Sequence, residues 1–556
     1  MMHGRIIGYM KTSRNGILIA AVLVLAVSVS AQTLPGGLVY KPLPRPWGDT
    51  YLPKSKPLAR RLLVVDARKC KAEERIALWS LQALVSRKQP RFWVSLGKED
   101  QRWLDWHVKA KHIDGYDVVD DWPSLFVTYR SEFNGAIAPD PKLYRSDLLA
   151  ANVAACEDLI IATPELAARL KIPVKIDLRG RFKTYAAGLE WMWDAYKGKL
   201  NRHICGYHHP KLMNTGAFSY VMQWRGVSFW LAGKVDSAEP GADIAAEKKI
   251  LAKIMSELAP NTPIMGFPYA GVGIGPGEPQ GVAFASKYAK ALVCTDHLRN
   301  TCVTSGVRIN KWTQPKQTPT PKLDRTKIYI ALALSDGDNM NVWRGFSQRY
   351  FTHKDHGKIP VAYGMGPAII DIQPAIAQWY YKHAAPNTEF FADVSGIAYT
   401  KPKVYGEAYN DRDAVMNGYL NWTRIYLDKM SMRTVRPVSG DDAFLKRYVA
   451  RIPKMHSILA DMGCYSGYKG IDKLTYSLDG IPIFRAATTW RKGVEGFLPE
   501  IRKHVGEKRP AFVNGFLHCW TFNDLDKIHS IHKNRDADMV FVTPTQLADL
   551  YRQARK

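Results

Sequence analysis

"IYIALALSDGDN" (residues 328–339) joins an apolar run to a cluster of acidic and amide side chains. The run "IYIALAL" (328–334) has the length and composition of a strand that is buried on both faces of a parallel sheet. Asp336, Asp338 and Asn339 follow directly after it. We therefore predict a buried strand whose carboxyl end carries a concentrated polar cluster.

Seven further apolar runs follow this strand and alternate with helical patterns such as "IIDIQPAIAQWYYKHA" (369–384) and "VEGFLPEIRKHV" (494–505). The runs are 359–365, 390–395, 434–438, 456–462, 481–487, 511–517 and 539–543. Strands that alternate with helices in this way predict a parallel (β/α) barrel, closed or partly open, over residues 328–556. The final helix begins with Thr543, Pro544 and Gln546 in capping-box order.

The N-terminal half also alternates between strand and helix patterns. "RLLVVDA" (61–67), "AEERIALWSLQALVSRK" (72–88) and "RFWVSLG" (91–97) predict a strand, a helix and a strand. We predict a Pro-rich segment over residues 32–60, an N-terminal α/β domain over 61–310 and a Pro/Thr-rich linker over 311–327. The predicted fold class is α/β, with an N-terminal α/β domain followed by a C-terminal (β/α) barrel-like domain.

The first thirty-one residues have the pattern of a signal peptide. Arg5, Lys11 and Arg14 precede the apolar run "GILIAAVLVLAVSVSA" (16–31), and small residues favour cleavage near Ala31. The alternative is an uncleaved membrane anchor, for which the run is short. We expect a secreted or periplasmic protein that keeps no stable membrane span after cleavage.

Composition limits the kinds of partner. Apolar residues make up 46% and charged residues 23% of the 556-residue chain, which favours a globular protein over a disordered one. The formal net charge of +27 attracts anionic surfaces. No nucleic-acid-binding motif accompanies the scattered Lys and Arg, so we expect no nucleic-acid partner. The positive charge then reflects either an anionic glycan as partner or simply a solvated basic surface.

Cysteine usage points to no metal centre. The seven cysteines include no CxxC pair and no Cys/His spacing that suits zinc. Cys294 and Cys302 are either a disulfide or two buried thiols. We predict neither a metal site nor a cofactor.

The ends of the predicted barrel strands supply the candidate site residues, because loops after the carboxyl ends of parallel strands line one mouth. In strand order these residues are Asp336, Asp338 and Asn339; Asp393; Asp441; Asp461; Arg485 and Trp490; and His518, with Trp520 close behind it.

A mouth lined by carboxylates and aromatic rings suits a glycan site, since carboxylates act as acid, base or nucleophile and aromatic faces stack on sugars. Glycoside hydrolysis requires two carboxyl groups about 5–5.5 Å apart for retention or about 6.5–9.5 Å apart for inversion. Asp336 and Asp338 lie two residues apart and are the leading catalytic pair, because alternate residues of an extended segment point the same way. Asp393, Asp441 and Asp461 are reserves for the second catalytic role.

Two other interpretations of "DGDN" remain open. The sequence is also a good turn, in which Asp and Asn side chains bond to nearby backbone amides. It also offers oxygen ligands for a divalent cation, although Met340 occupies an oxygen-ligand position of an EF-hand loop.

"SGIAYTKP" (395–402) resembles the motif of the GxGYxYP family, whose glycoside hydrolase activity is inferred. Gly396, Tyr399 and Pro402 are in register, whereas Ala398 and Lys401 depart from the motif. Further stretches over most of residues 60–550 resemble the family's N- and C-terminal domains, among them "RIALWSLQALVSRKQPRFWV", "EPQGVAFASKYAKALVCTDHLRN" and "GPAIIDIQPAIAQWYYKHA".

The resemblance implies a secreted two-domain protein with a barrel-like C-terminal domain and a carbohydrate substrate. Lys401 in place of the motif tyrosine brings a positive charge that favours an acidic sugar. The expected substrate-binding residues are Asn339, Gly396, Tyr399, Lys401, Arg485, Trp490 and His518.

The sequence therefore predicts a glycoside hydrolase that acts on an extracellular or envelope polysaccharide by carboxylate acid/base chemistry. One alternative is a metal-dependent polysaccharide deacetylase, against which the absence of an H-x-x-x-H segment counts. Another is a glycan-binding or scaffold protein without catalytic activity.

Overall fold

Parallel sheets with helices between their strands make up the part of the chain that the computed structural model describes. The described residues are 37–268, 275–336, 340–438, 441–460, 466–489 and 492–556. The predicted signal peptide lies outside them. Within the described residues, no helix is both long enough and apolar enough to cross a bilayer.

Three small parallel sheets form the described N-terminal half. Their strands, in chain order, are β1 (Arg61–Asp66), β2 (Phe92–Ser95), β3 (Gly115–Val119), β4 (Gly135–Ala138), β5 (Leu159–Ile161), β6 (Val174–Asp177), β7 (Cys205–Tyr207), β8 (Val227–Phe229), β9 (Thr262–Gly266) and β10 (Lys290–Val293). Sheet A has the strand order β2-β1-β3, sheet B the order β5-β4-β6 and sheet C the order β10-β9-β7-β8. The predicted strand-helix-strand start is confirmed as β1, a helix over Ala72–Lys88 and β2.

Helices cover and connect these sheets. They are α1 (Ala72–Lys88), α2 (Lys98–Lys109), α3 (Ser124–Thr128), α4 (Ser146–Glu157), α5 (Pro164–Arg169), α6 (Tyr185–Tyr196), α7 (Ser219–Gln223), α8 (Ile244–Glu257), α9 (Glu278–Lys287) and α10 (Thr301–Thr304). Helix α1 is buried along most of its length and packs against α7 and β5. A helix that is covered on several sides has no single solvent-facing side, which is why its sequence lacks a strong polar face.

Sheet D, in the C-terminal half, is a curled and mainly parallel sheet. Its strands are β11 (Ile328–Ser335), β12 (Val361–Met365), β13 (Thr388–Ala392), β14 (Thr434–Val435), β15 (Ser457–Ala460), β16 (Thr475–Leu478), β17 (Ile481–Arg485), β18 (Ala511–His518) and β19 (Met539–Val542). The order is β16-β17-β15-β14-β13-β12-β11-β18, and β19 pairs with the first half of β11. Each of the eight apolar runs overlaps one of these strands, and β16 adds an antiparallel hairpin partner to β17.

The two ends of sheet D approach each other. The Ala487 N–H donates to the Asn514 carbonyl at 2.9 Å, and Asn514 Nδ2 donates to the Phe484 carbonyl at 3.1 Å. These bonds connect the region of β17 to β18 and curl the sheet around one interior. The predicted barrel-like architecture is confirmed.

The helices of this half are α11 (Asn341–Arg344), α12 (Gln348–Phe351), α13 (Ile369–Ile372), α14 (Pro374–His383), α15 (Arg412–Met430), α16 (Asp442–Arg451), α17 (Ile471–Leu474), α18 (Phe497–Val505), α19 (Leu525–Lys533) and α20 (Pro544–Ala554). The pattern over 369–384 predicts one helix, but the structure divides it into α13 and α14. Pro374 lacks an N–H and disfavours a helical residue before it, so the helix restarts at that position.

Helix α20 closes the amino-terminal end of the barrel. Leu547 and Tyr551 pack in one cluster with interior residues of sheet D such as Ala331 and Phe484. Thr545 donates to Glu389 at the start of β13, and Arg552 donates to the His456 carbonyl just before β15. The predicted capping box is confirmed at Thr543. With this end filled, the carboxyl ends of the strands form the mouth of the barrel.

Candidate active site at the mouth of the barrel

A buried polar cluster lies at the carboxyl end of the barrel interior. Ser335 ends β11, Asp393 follows β13 and Arg436 follows β14. Arg436 Nε donates to Asp393 Oδ1 at 2.8 Å, and the Ser335 hydroxyl donates to Asp393 Oδ2. The side chains of Arg436 and Asp393 are only 2% and 4% exposed. The cluster therefore connects the carboxyl ends of β11, β13 and β14 through one carboxylate.

Strand alternation explains why these side chains meet inside the barrel. Side chains of alternate strand residues share a face. Tyr329, Ala331 and Ala333 belong to the interior cluster, so Ser335 extends the same face of β11. Phe391 is an interior residue of β13, and Asp393 is two residues further along.

Gly364 of β12 leaves the space that the Asp393 carboxylate occupies. A Cβ atom built on Gly364 would lie 2.4 Å from Asp393 Oδ2, which is too close for any side chain. The Arg436 guanidinium lies over the Phe516 ring, 4.8 Å from its centroid. Asp393 and Arg436 are thus fixed from several sides, as a preorganised charged pair in a dry interior must be.

Asp336 continues directly from Ser335 and is half-buried at the mouth. Its neighbours in the predicted catalytic motif, Asp338 and Asn339, lie outside the described residues, as do Asp461 and Trp490. The structure thus places Asp336 one residue from the buried cluster.

The segment after Asp393 is held by hydroxyl groups. Tyr419 and Tyr448 each donate to the Ser395 carbonyl at 2.7 Å. Gly396 has φ of +129°, and a Cβ there would lie 2.5 Å from Thr423 Oγ1. Gly396 therefore meets a backbone and packing requirement that other residues cannot meet.

Tyr399 and Lys401 connect this segment to sheet C. Tyr399 exchanges backbone hydrogen bonds of 2.8 Å with Leu292 of β10, and its hydroxyl donates to Glu278 at 2.7 Å. The Tyr399 side chain is buried, so its ring packs between the two halves of the protein. Burial lowers the pKa of Lys401 below its usual value, although the nearby Glu278 carboxylate opposes this shift.

Asp441, Arg485 and His518 have separate surroundings at the rim. Asp441 is exposed and caps α16 by accepting from the Phe444 N–H at 3.2 Å. Arg485 is buried and donates to Asp442 at 3.0 Å. His518 is half-buried and pairs in register with Ser335 across β18 and β11. Of these three residues, His518 is adjacent to the buried cluster.

Sheet C presents a further carboxylate to the segment that follows β11. Asp296 follows β10, and Asn341 Nδ2 donates to Asp296 Oδ1 at 2.6 Å. The Met340 N–H donates to the Cys294 carbonyl at 3.1 Å. Burial raises the pKa of Asp296, against opposing effects of His297 and Asn341. The carboxyl end of β10 thus contacts the segment that immediately follows "DGDN".

Two buried histidines lie beside Asp296. His208, His209 and Asp296 line a small cavity at the carboxyl edge of sheet C. Burial lowers the pKa of His208 to about 3 and that of His209 to about 4, so both rings are neutral at neutral pH. His209 Nδ1 accepts from the Lys211 N–H, which places the ring proton on Nε2. The cavity can therefore hydrogen-bond a water molecule or a hydroxyl group.

Arg436 and Asp296 are not among the residues that the sequence analysis predicts. Arg436 lies inside the run "TVRPV", and a charged residue in an apolar run is itself a signal of a buried partner. Asp296 follows "KALV", so the strand-end argument applied to the N-terminal half would have identified it.

One group in the described residues has the spacing of metal ligands, namely His353, Asp524 and Asp526. His353 Nδ1 accepts from the Asp355 N–H at 3.2 Å, and His353 Nε2 lies 3.3 Å from Asp526 Oδ1. Asp524 caps α19 by accepting from the Asp526 N–H. Local hydrogen bonding therefore accounts for this group.

The buried Cys302 carries a thiol that donates to Ser219, so the alternative of buried thiols holds at that position.

Comparisons with known proteins agree with the fold. A crystal structure described as "a putative hydrolase from Bacteroides thetaiotaomicron VPI-5482" superposes with a TM-score of 0.74 at 19% sequence identity, and the match covers 93% of this chain and 99% of that chain. At this identity the similarity concerns the fold alone. A comparison with curated proteins finds no significant match.

Three family models match consecutive parts of the sequence. They are the GxGYxYP_N second domain at residues 133–200, the GxGYxYP third domain at 201–306 and the "GxGYxYP putative glycoside hydrolase C-terminal domain" at 326–552. The matches cover both the sheets of the N-terminal half from β4 onward and the whole of sheet D. The chain belongs to the GxGYxYP family.

Proposed function

We propose that this protein is a secreted glycoside hydrolase that cleaves an extracellular or envelope polysaccharide with carboxylates at the mouth of the barrel. The observation that carries the proposal is the buried Ser335–Asp393–Arg436 cluster, one residue from Asp336. The description of the family's C-terminal domain supports the same proposal.

Asp393 is suited to remain ionised during a reaction. Its two oxygens accept hydrogen bonds from a guanidinium and a hydroxyl, and hydrogen bonds to the charged form favour that form. Glycoside hydrolysis passes through a transition state with positive charge on the sugar ring. A fixed carboxylate at the mouth would stabilise that charge without reorganising.

The second carboxyl group would come from Asp336 or Asp338. A proton donor needs a raised pKa, and a neighbouring carboxylate supplies this because two like charges disfavour each other. We assign Asp336 and Asp338 as the candidates for the acid and Asp393 as the charged partner. Helix α20 closes the other end of the barrel, so substrate would approach these residues from the mouth alone.

The net charge of +27 supports an anionic glycan as substrate. Lys401 adds a cation near the motif segment, and sequence features of residues 1–31 support export. Equal turnover of neutral and uronic-acid polymers would contradict the preference for an acidic sugar.

The test is turnover by the purified protein on carboxymethyl-cellulose, xylan, polygalacturonate and alginate. New reducing ends from wild type, lost in folded Asp336→Asn, Asp338→Asn or Asp393→Asn variants, are the expected result. Asp472→Asn is the matched control, because Asp472 forms an exposed ion pair with Lys508 away from the barrel strands' carboxyl ends. Acetate release from acetylated xylan without new reducing ends would favour a deacetylase. Glycan binding without any turnover would favour a binding protein.

A further inference from the structure

Trp520 is the most conspicuous apolar side chain on the described surface. It is 55% exposed, and among the described tryptophans it alone falls in the exposed class. Exposed single aliphatic residues are common, but an exposed indole is a large apolar surface that water covers at a cost. Its position therefore asks for an explanation.

That position is the mouth of the barrel. The Cys519 N–H donates to the Ser335 carbonyl at 3.0 Å, so β18 and β11 are still connected at this point. Trp520 is the next residue after Cys519, and Asp336 is the next residue after Ser335. With consecutive Cα atoms about 3.8 Å apart, the backbones of Trp520 and Asp336 are therefore close neighbours at the mouth.

Neighbouring side chains hold the indole in place. The Phe346 ring packs edge-on against Trp520 with centroids 4.6 Å apart. The Arg349 guanidinium lies over the Phe346 ring at 3.9 Å, and Arg349 Nη1 donates to the Asn523 carbonyl at 3.2 Å. Phe346 lies between α11 and α12, and Asn523 lies in the loop after β18, so these two segments hold one aromatic pair in place.

We propose that Trp520, supported by Phe346, is a stacking platform for one pyranose ring of the bound glycan, beside the candidate catalytic carboxylates. This inference rests on the proposed function, because it places the platform in a glycan subsite of the same mouth. The C–H face of a pyranose is apolar and flat, and it covers an exposed indole as a neighbouring side chain does in a core. The exposed Arg349 next to the platform suits a ring that carries a carboxylate.

Removing the platform should weaken glycan binding and leave the chemical step largely unaffected. Trp520→Ala removes the stacking surface but leaves the acidic residues in place, so Kd and KM rise at least about tenfold while kcat changes little. Trp520→Phe keeps a flat ring and retains most of the affinity.

The matched control is Trp191→Ala. Trp191 also packs against a phenylalanine, Phe182 at 5.2 Å, and under an arginine, Arg181 at 4.0 Å, but it lies in α6 of the N-terminal half. An effect of removing any tryptophan from an Arg–Phe–Trp group would appear in both variants. Binding is measured by retardation in native gels that contain polygalacturonate, alginate, xylan or carboxymethyl-cellulose.

A second readout does not depend on turnover. N-bromosuccinimide oxidises exposed indoles, and mass spectrometry then locates the oxidised residue. Trp520 is expected to react first and to be protected by the polysaccharide that retards the protein. Unchanged gel retardation of Trp520→Ala, with no protection of Trp520 by a bound polysaccharide, would overturn the platform even if hydrolysis is observed.

The remaining outcomes separate the two proposals. Retardation lost in Trp520→Ala together with protection of Trp520, without turnover by wild type, would support the platform and overturn the hydrolase. No retardation of wild type in any of the four gels and no protection of Trp520 would overturn the platform.

Discussion

The buried pair of Asp393 and Arg436 gives the sharpest prediction. Arg436→Met replaces the guanidinium by an apolar side chain of similar length and leaves the Asp393 carboxylate buried at 4% exposure. Removing one partner of a buried ion pair costs about 3–5 kcal/mol, because the remaining charge is uncompensated. For a domain the size of the barrel-like half (residues 328–556), a loss of about 4 kcal/mol in the free energy of unfolding lowers the melting temperature by roughly 10 °C.

The double variant Asp393→Asn/Arg436→Met separates the cost of an unpaired charge from the cost of altered packing. It removes both charges, so we expect it to melt above Arg436→Met although it carries one more substitution. Hydrolysis, where wild type shows it, should be lost in both variants, since the charged carboxylate at the mouth is lost or displaced in each.

Differential scanning calorimetry or circular dichroism at several heating rates provides the melting temperatures. Arg61→Met is the control, because Arg61 and Asp117 form an ion pair in which both side chains are 56% exposed. We expect no measurable shift there. If Arg436→Met has the same melting temperature as the Arg61→Met control, or if the double variant melts below Arg436→Met, the reasoning about a desolvated pair is wrong.

Three further predictions concern Gly364, Gly396 and His107. Gly364→Ala places a Cβ 2.4 Å from Asp393 Oδ2, so turnover should fall at least about tenfold with the protein still folded, and unchanged turnover would mean that Asp393 is not held as described. Gly396→Ala, at φ of +129° and with Thr423 in the way, should lower the free energy of unfolding by about 1–3 kcal/mol, which urea denaturation would measure. Burial lowers the pKa of His107 from 6.5 to about 3, so on acidification the unfolded protein binds this proton at a higher pH than the folded protein does. The contribution of the neutral ring to the free energy of unfolding is fully present above pH 6.5 and is lost as the pH decreases towards 3. At pH 5 this one group costs about 2 kcal/mol relative to pH 7.5, and His107→Leu should show a shallower acid dependence of its melting temperature than wild type.

The sequence by itself determined the local structure. Helix α1 begins and ends where the pattern over 72–88 predicts, and Thr543 caps α20 as its capping box predicts. These features depend on residues within a few positions of one another, so the sequence window that specifies them is short. The alternation of apolar runs and helices likewise predicted the barrel-like sheet, since each strand must be buried by its neighbours.

The candidate site was predictable only where one strand end was enough to reveal it. Asp393 and Asp336 follow their strands in sequence, and the structure places one in the buried cluster and the other beside it. Tyr399 carries the family motif, but the register between its segment and β10 directs its hydroxyl to Glu278.

Tertiary structure alone decided which groups meet. Arg436 reaches Asp393 across 43 residues of sequence, and Asn341 reaches Asp296 across 45. The division of the N-terminal half into sheets A, B and C is decided at the same level. Such contacts depend on strand order and on the packing of whole sheets, which no short pattern encodes. The sequence therefore specified the strands and the acidic residues that follow them, and the closure of the sheet decided which of those residues lie in the buried, charged cluster at the mouth.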